Sequence, residues 1–197
     1  TGYEKKSFRL NIDQKVNDKI DFSLSSNFIH SSADRGFFNN DNSGSTMGIA
    51  FVATPSWAQL LPDANGNYPD NPYAASNFLQ TSELITNNET VNRIISSGKL
   101  TADLYTNDQM SLRFIARGGV DNYTLNTTAI FPNTLQFQSN GNGLGGVSVQ
   151  GTTVNTNTNF AAFLVHDFFP SGSSLSFRTQ FGITAENFDQ DNIIGTA

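Results

Sequence analysis

Cysteine is absent from the 197 residues, which excludes disulfides, thiolate nucleophiles and zinc–thiolate sites. Charge is scarce: Asp, Glu, Lys and Arg make up 14% of the chain, against about 25% in an average globular domain. The 11 basic residues are scattered in a chain of net charge −6. No basic stripe tracks a phosphate backbone, which argues against nucleic acid as a partner. Histidine is limited to His30 and His166, far apart and outside any metal-ligand spacing. The longest apolar runs, Ile49–Ala53 and Phe160–Val165, fall far short of the roughly 20 residues a membrane-spanning helix needs. Spanning helices are excluded, but spanning strands are not. No Ser–His–Asp order or phosphate loop is present. Gly141-x-Gly143-x-Gly145-Gly146 precedes a strand-like segment rather than a helix, the wrong setting for a dinucleotide site. Asp103, Asp121 and Glu186 make no acid–base pair in sequence, so neither catalysis nor a cofactor is expected. Thr1 carries no initiator Met, basic n-region or apolar h-region. The expectation is a processed chain or an internal fragment, and the hairpin repeat below favours the fragment.

What fills the gap is uncharged polar surface, with 24 Asn, many Ser and Thr, and 16 Gly, beside 17 Phe, 5 Tyr and 1 Trp. So many aromatic residues argue against charge-driven disorder. The composition suits a β protein with apolar and polar faces and few ion pairs.

Period-two alternation bears this out along the chain. Phe8, Leu10 and Ile12 alternate with Ser7, Arg9, Asn11 and Asp13, and Ile20, Phe22, Leu24 and Phe28 with Asp21, Ser23, Ser25 and Asn27. Alternation resumes at Leu100, Ala102 and Leu104, returns through Met110, Leu112, Phe114 and Ala116, and closes with Leu175, Phe177, Phe181 and Ile183. Strands are predicted at about residues 5–13, 20–30, 91–105, 110–122, 152–167 and 174–187. Thr158–Asp167 is apolar on both parities, so its facing is ambiguous; Phe163 and Val165 are taken to face outward with the apolar set. A helical turn is expected at Ser56–Leu61, with Ser56 as its cap after Pro55.

The three hairpins have connections of about four to six residues at one end, and loops of about 60 (31–90) and 25 (124–150) residues at the other. Outer-membrane barrels share this asymmetry, with alternation apolar-out and polar-in. A soluble sandwich also alternates, but has no reason to gather its long loops at one end. The expected fold is therefore all-β, an antiparallel up-and-down transmembrane β-barrel segment. Phe8, Leu10, Ile12, Phe22, Leu24, Leu112, Phe114, Leu175, Phe177 and Phe181 would face outer-membrane lipid, and Arg9, Arg113, Arg117 and Arg178 the lumen. The alternatives are a secreted carbohydrate-binding β-sandwich and another outer-membrane barrel, an adhesin or porin.

The opening Gly2-Tyr3-Glu4-Lys5-Lys6-Ser7-Phe8-Arg9-Leu10-Asn11-Ile12-Asp13 resembles a barrel strand of the SusC/RagA-type TonB-dependent outer-membrane transporters of Bacteroidetes. The later order is similar too: a Pro/Asp/Asn/Gly/Tyr loop (Leu61–Asn71), Asn-Pro-Tyr-Ala (Asn71–Ala74), and Asn87-Asn88-Glu89-Thr90-Val91-Asn92-Arg93 opening a strand. The resemblance implies a barrel of about 22 strands, of which six would be roughly a quarter. It also implies an N-terminal plug, energy from the TonB complex, a SusD-like lid lipoprotein, and uptake of a bulky glycan or peptide across the bacterial outer membrane. Neither the plug nor the TonB-contacting segment lies in these residues.

Three sets of residues could carry binding. The four arginines either line a solute path or dock the plug, or are simply solvated because arginine on the lipid face would cost about 2–4 kcal/mol. Asp63-x-Asn65-x-Asn67 with Asp70 is similar to an oxygen-ligand loop for calcium, but Tyr68 stands where the sharp turn wants Gly and no Glu follows at the twelfth position. A plain turn is the better reading, and no metal is expected. Phe37, Phe38, Trp57, Tyr68 and Tyr73 either stack on sugar rings and a lid protein or pack the long loop against itself.

Overall fold

Each period-two segment pairs with its neighbour in the chain. The structure is a computed structural model and describes residues 2–38, 44–139, 145–172 and 174–197. Six strands form one antiparallel sheet in chain order: β1 (Tyr3–Asn17), β2 (Ile20–Asp34), β3 (Thr86–Thr106), β4 (Met110–Pro132), β5 (Gly146–Phe168) and β6 (Phe177–Thr196). Three short helices, α1 (Met47–Ala53), α2 (Phe78–Leu84) and α3 (Gln136–Ser139), lie in the connections. Among the described residues β1 pairs only with β2 and β6 only with β5, so the sheet has two open edges.

The short turns gather at one end. Asp103 N donates to Lys19 O at 2.8 Å, and Phe169 N to Gln109 O at 2.6 Å. Asn107 shapes the β3–β4 turn by accepting from Gln109 N and Met110 N at 2.9 and 2.8 Å, the local bonding that makes Asn a turn residue. The long connections, 35–85 and 133–145, stand at the opposite end.

Register settles which residues share a face, because directly opposite residues point to the same side. Phe8 lies opposite Phe28 and Phe28 opposite Ile94; Ala102, Phe114, Leu164 and Phe181 form another such row. Phe8, Leu10, Ile12, Phe22, Leu24, Leu112, Phe114, Phe177 and Phe181 therefore occupy one face, and Arg9, Arg113, Arg117 and Arg178 the other. Leu175 precedes β6 and belongs to no strand. Phe163 and Val165 overturn the expectation made for them: they lie opposite Ile115 and Arg113, on the polar face. The cause is across the pair, where Gly182 faces Phe163 and an added Cβ would sit 2.3 Å from its ring. Of the run 160–165, Phe160, Ala162 and Leu164 lie on the apolar face.

Hydrophobic side chains on that face concentrate in a band of about nine residues per strand, such as Phe160–Phe168 in β5, with Ile130, Val154 and Ile193 standing apart from it. Beyond it come His30, Asn92, Asn122, Thr158 and Asn187. The band is oblique to the pairing. Phe28, its last member in β2, lies on a row running through Ile94 and Asn122 to Thr156, whereas in β5 the band stops at Phe160. That offset is about 14 Å along the strands over about 14–24 Å of sheet width, a slope of about 30–45°.

The strands run past their predicted ends. Thr124–Thr128 is mainly polar on both parities and so shows no alternation, yet it pairs residue for residue with Gln150–Val154. The predicted 124–150 loop shrinks to 133–145, and 31–90 to 35–85. Ser56–Leu61 is not helical. Helix α1 ends before Pro55 instead, with Thr54 held extended (ψ 122°), as the residue before proline prefers. Of the glycine-rich run, residues 141–144 lie outside the described residues; Gly146, at φ +108°, opens β5.

Candidate functional site

Two surfaces carry the polar and aromatic residues singled out by sequence: the polar face of the sheet and the long-loop end.

Ion pairs cross the polar face. Arg113 Nε donates to Asp103 Oδ1 at 3.2 Å, directly across the β3–β4 hairpin. Arg178 grips Asp167 with two bonds of 2.5 and 3.2 Å across β5–β6. Arg93 holds Asp121 in the same forked way, at 2.8 and 2.5 Å, the planar geometry that suits arginine to carboxylates. Arg117 has no carboxylate partner among the described residues; its guanidinium lies 5.5 Å over the Phe163 ring. Arg9 likewise makes no side-chain bond among the described residues and is exposed. Sequence reading placed the four arginines on one face and missed Arg93 and Lys99, although both share the odd parity of Asp103 on β3. Three hollows of about 310, 330 and 320 Å³ indent this face.

At the loop end the most buried side chains are polar, and hydrogen bonds rather than apolar area hold them. Asn77 caps α2, its Oδ1 accepting from Leu79 N and Gln80 N at 3.0 and 3.2 Å. Its Nδ2 donates to Leu60 O and Pro69 O, both at 2.9 Å. Asn71 N donates to Gln136 Oε1 at 2.8 Å, and Gln136 Nε2 returns to Asn71 O at 3.0 Å. Gln136 N donates to Gln80 Oε1 at 3.0 Å, and Gln80 Nε2 to Thr134 O at 2.8 Å. With Leu135 wholly buried between them, the two long connections form one body.

That body sorts the five aromatic candidates. Phe37 packs inward on Phe131 and Phe137, at 5.1 and 5.6 Å between ring centroids. Tyr68 is half-buried, and Phe38 is exposed beside Gly36. Trp57 and Tyr73 meet edge-to-face at 5.3 Å while staying 67% and 42% exposed. Near Trp57 in sequence, Phe51, Leu61 and Phe78 line an apolar groove of about 570 Å³. The packing reading therefore holds for Phe37, while Trp57 and Tyr73 present ring surface to solvent.

The Asp63 loop closes on itself. Asp63 Oδ1 accepts from Asn65 N and Asn67 N at 2.8 and 2.9 Å, and Oδ2 from Asn67 Nδ2 at 3.1 Å. Gly66, at φ +84°, completes the turn. Bonds from Asn67, backbone first and then side chain, hold the Asp63 carboxyl below its ordinary value. Both oxygens are thus engaged by amides, as a turn requires.

No protein-family model matches this chain, and no curated protein matches it.

Proposed function

We propose that these residues form part of the wall of an outer-membrane β-barrel, of the SusC/RagA-like TonB-dependent kind. The whole protein would import a bulky glycan or oligopeptide beneath a SusD-like lipoprotein, with energy from the TonB complex. The observation that carries the membrane part is the oblique apolar band. Barrel strands tilt about 35–45° and show lipid an apolar belt about 25 Å tall. A belt level with the bilayer must then cross the hydrogen-bond rows at that angle, as this one does. A sandwich core has no such reason to slant, nor to thin out after about nine residues in strands of 15 to 23. The opposite face, with its paired Arg and Asp, suits a watery lumen, and gathering the long loops at one end suits an extracellular rim. The transporter part is supported by the Gly2–Asp13 strand and the order of elements that follows it.

The absence of cysteine allows a clean test. In the full-length protein reconstituted into liposomes, single cysteines at Phe8, Leu112 and Phe181 carry nitroxides, with Arg9 and Gln180 as lumen controls. The band sites should collide with oxygen and be shielded from a water-soluble relaxant; the controls should show the reverse. Band sites closed to both reagents would mean a protein core, and the barrel reading would fall. For transport, a Trp57→Ala/Tyr73→Ala variant should lose uptake or lid retention by several-fold, since two aromatic contacts are each worth about 0.5–1.5 kcal/mol. Unchanged uptake and unchanged retention would remove the aromatic pair from the mechanism.

A further inference from the structure

Arg93, Arg113 and Arg178 each lie against a carboxylate on the polar face. Lys99 and Arg117 do not. They are direct partners in the β3–β4 register, so their side chains leave the same face from neighbouring positions, and like charges so placed repel. Neither is in ion-pairing distance of a carboxylate among the described residues. Both open on the hollow of about 310 Å³, whose other walls include Ser23, Ser25, Ser97 and Asn159. These short hydroxyl and amide groups can donate to an anion. One carboxylate, Asp13, stands on the far wall, two strands from Lys99 by register, so the hollow keeps a net positive charge. Behind Arg117, the Phe163 ring holds the guanidinium from one side.

We propose that Lys99 and Arg117 form an anion-binding site that takes a carboxylate or sulfate group. Two cations at this spacing gain by sharing one anion, and each hydrogen bond becomes charge-assisted. As a station on a solute path the site rests on the barrel reading, where it would select acidic glycans or peptides. As a cation pair on a sheet face it does not depend on that reading. The same chemistry could instead receive an acidic side chain from a polypeptide docked on this face.

The experiment uses the full-length protein in detergent at low ionic strength, with radiolabelled sulfate in equilibrium dialysis. Saturable binding that weakens about tenfold or more in Lys99→Gln/Arg117→Gln, but survives in Lys99→Arg and in Lys6→Gln, supports a site open to solutes. No sulfate binding, together with a carbodiimide cross-link from Lys99 to a carboxylate that is lost in Lys99→Gln, supports a site filled by an acidic side chain. Sulfate bound equally by the double variant, or neither binding nor cross-link, overturns the proposal. Cell fractionation is read separately. A protein recovered outside the membrane, with its sulfate binding intact, overturns the barrel and leaves the anion site.

Discussion

Asp63 shows how little a single side chain needs in order to fix a loop. Its carboxylate accepts three amide bonds, and those bonds favour the charged form. With its folded value depressed, the contribution is present above the ordinary value of 3.8 and fades as pH falls through the lowered one. The 63–67 turn should therefore keep its amide protection at pH 5 and lose it in stronger acid. An Asp63→Asn variant should exchange its Asn67 amide rapidly at both pH values. Hydrogen exchange reads this directly, and equal protection in the variant would contradict it. The residue scale was also partly legible beforehand. Parity alone put Arg9, Arg113, Arg117 and Arg178 together, because a strand has only two sides. Their partners were not legible, since Arg93 finds Asp121 only once β3 and β4 are in register. Trp57 meets Tyr73 through a fold of the loop that no short-range pattern encodes.

At the scale of elements, alternation located strands wherever one side is apolar. It failed where both sides are mainly polar, as along Thr124–Thr128, because pairing there is carried by backbone ladders and side-chain rungs. Asn122 Nδ2 donates to Thr156 Oγ1 at 2.8 Å and Thr152 Oγ1 to Asn126 Oδ1 at 2.9 Å. It failed again at Phe160–Val165, where both parities are apolar and the decision fell to Gly182 on the next strand. The loop helices were missed or misplaced, since their anchors are long-range hydrogen bonds. Asn77 is the chief of these, and Asn77→Ala would remove the α2 cap and leave the buried Leu60 and the Pro69 carbonyls without their donor. The expected local cost is about 2–4 kcal/mol. Hydrogen exchange at Leu79 and Gln80 should accelerate accordingly, with little change in β1–β2. Uniform acceleration through the whole sheet would mean that the loop body and the sheet are one cooperative unit.

For the molecule as a whole, the exposed apolar side chains matter more than the buried ones. Phe8, Phe28, Phe177, Phe181 and Ile183 are 67%, 45%, 55%, 71% and 68% exposed, all on one face, and contiguous apolar surface of that kind marks an interaction surface. The open edges add unpaired backbone donors and acceptors. Residues 1–197 made alone in detergent-free buffer should therefore sediment as aggregates and become dispersed when detergent is added. A monomer with one cooperative unfolding transition would instead point to a soluble β-sandwich. The height of the wall has its own consequence. Past the band, β4 and β5 continue through Asn122–Pro132 and back to Gly146, with polar and apolar residues mixed on both sides. With the band set level in a bilayer, a tilt of about 30–45° raises them about 30 Å. In the outer-membrane barrel proposed above, such a parapet would hold the Trp57–Tyr73 platform clear of the headgroups, and a large nutrient would be captured in open water and only afterwards handed down into the pore.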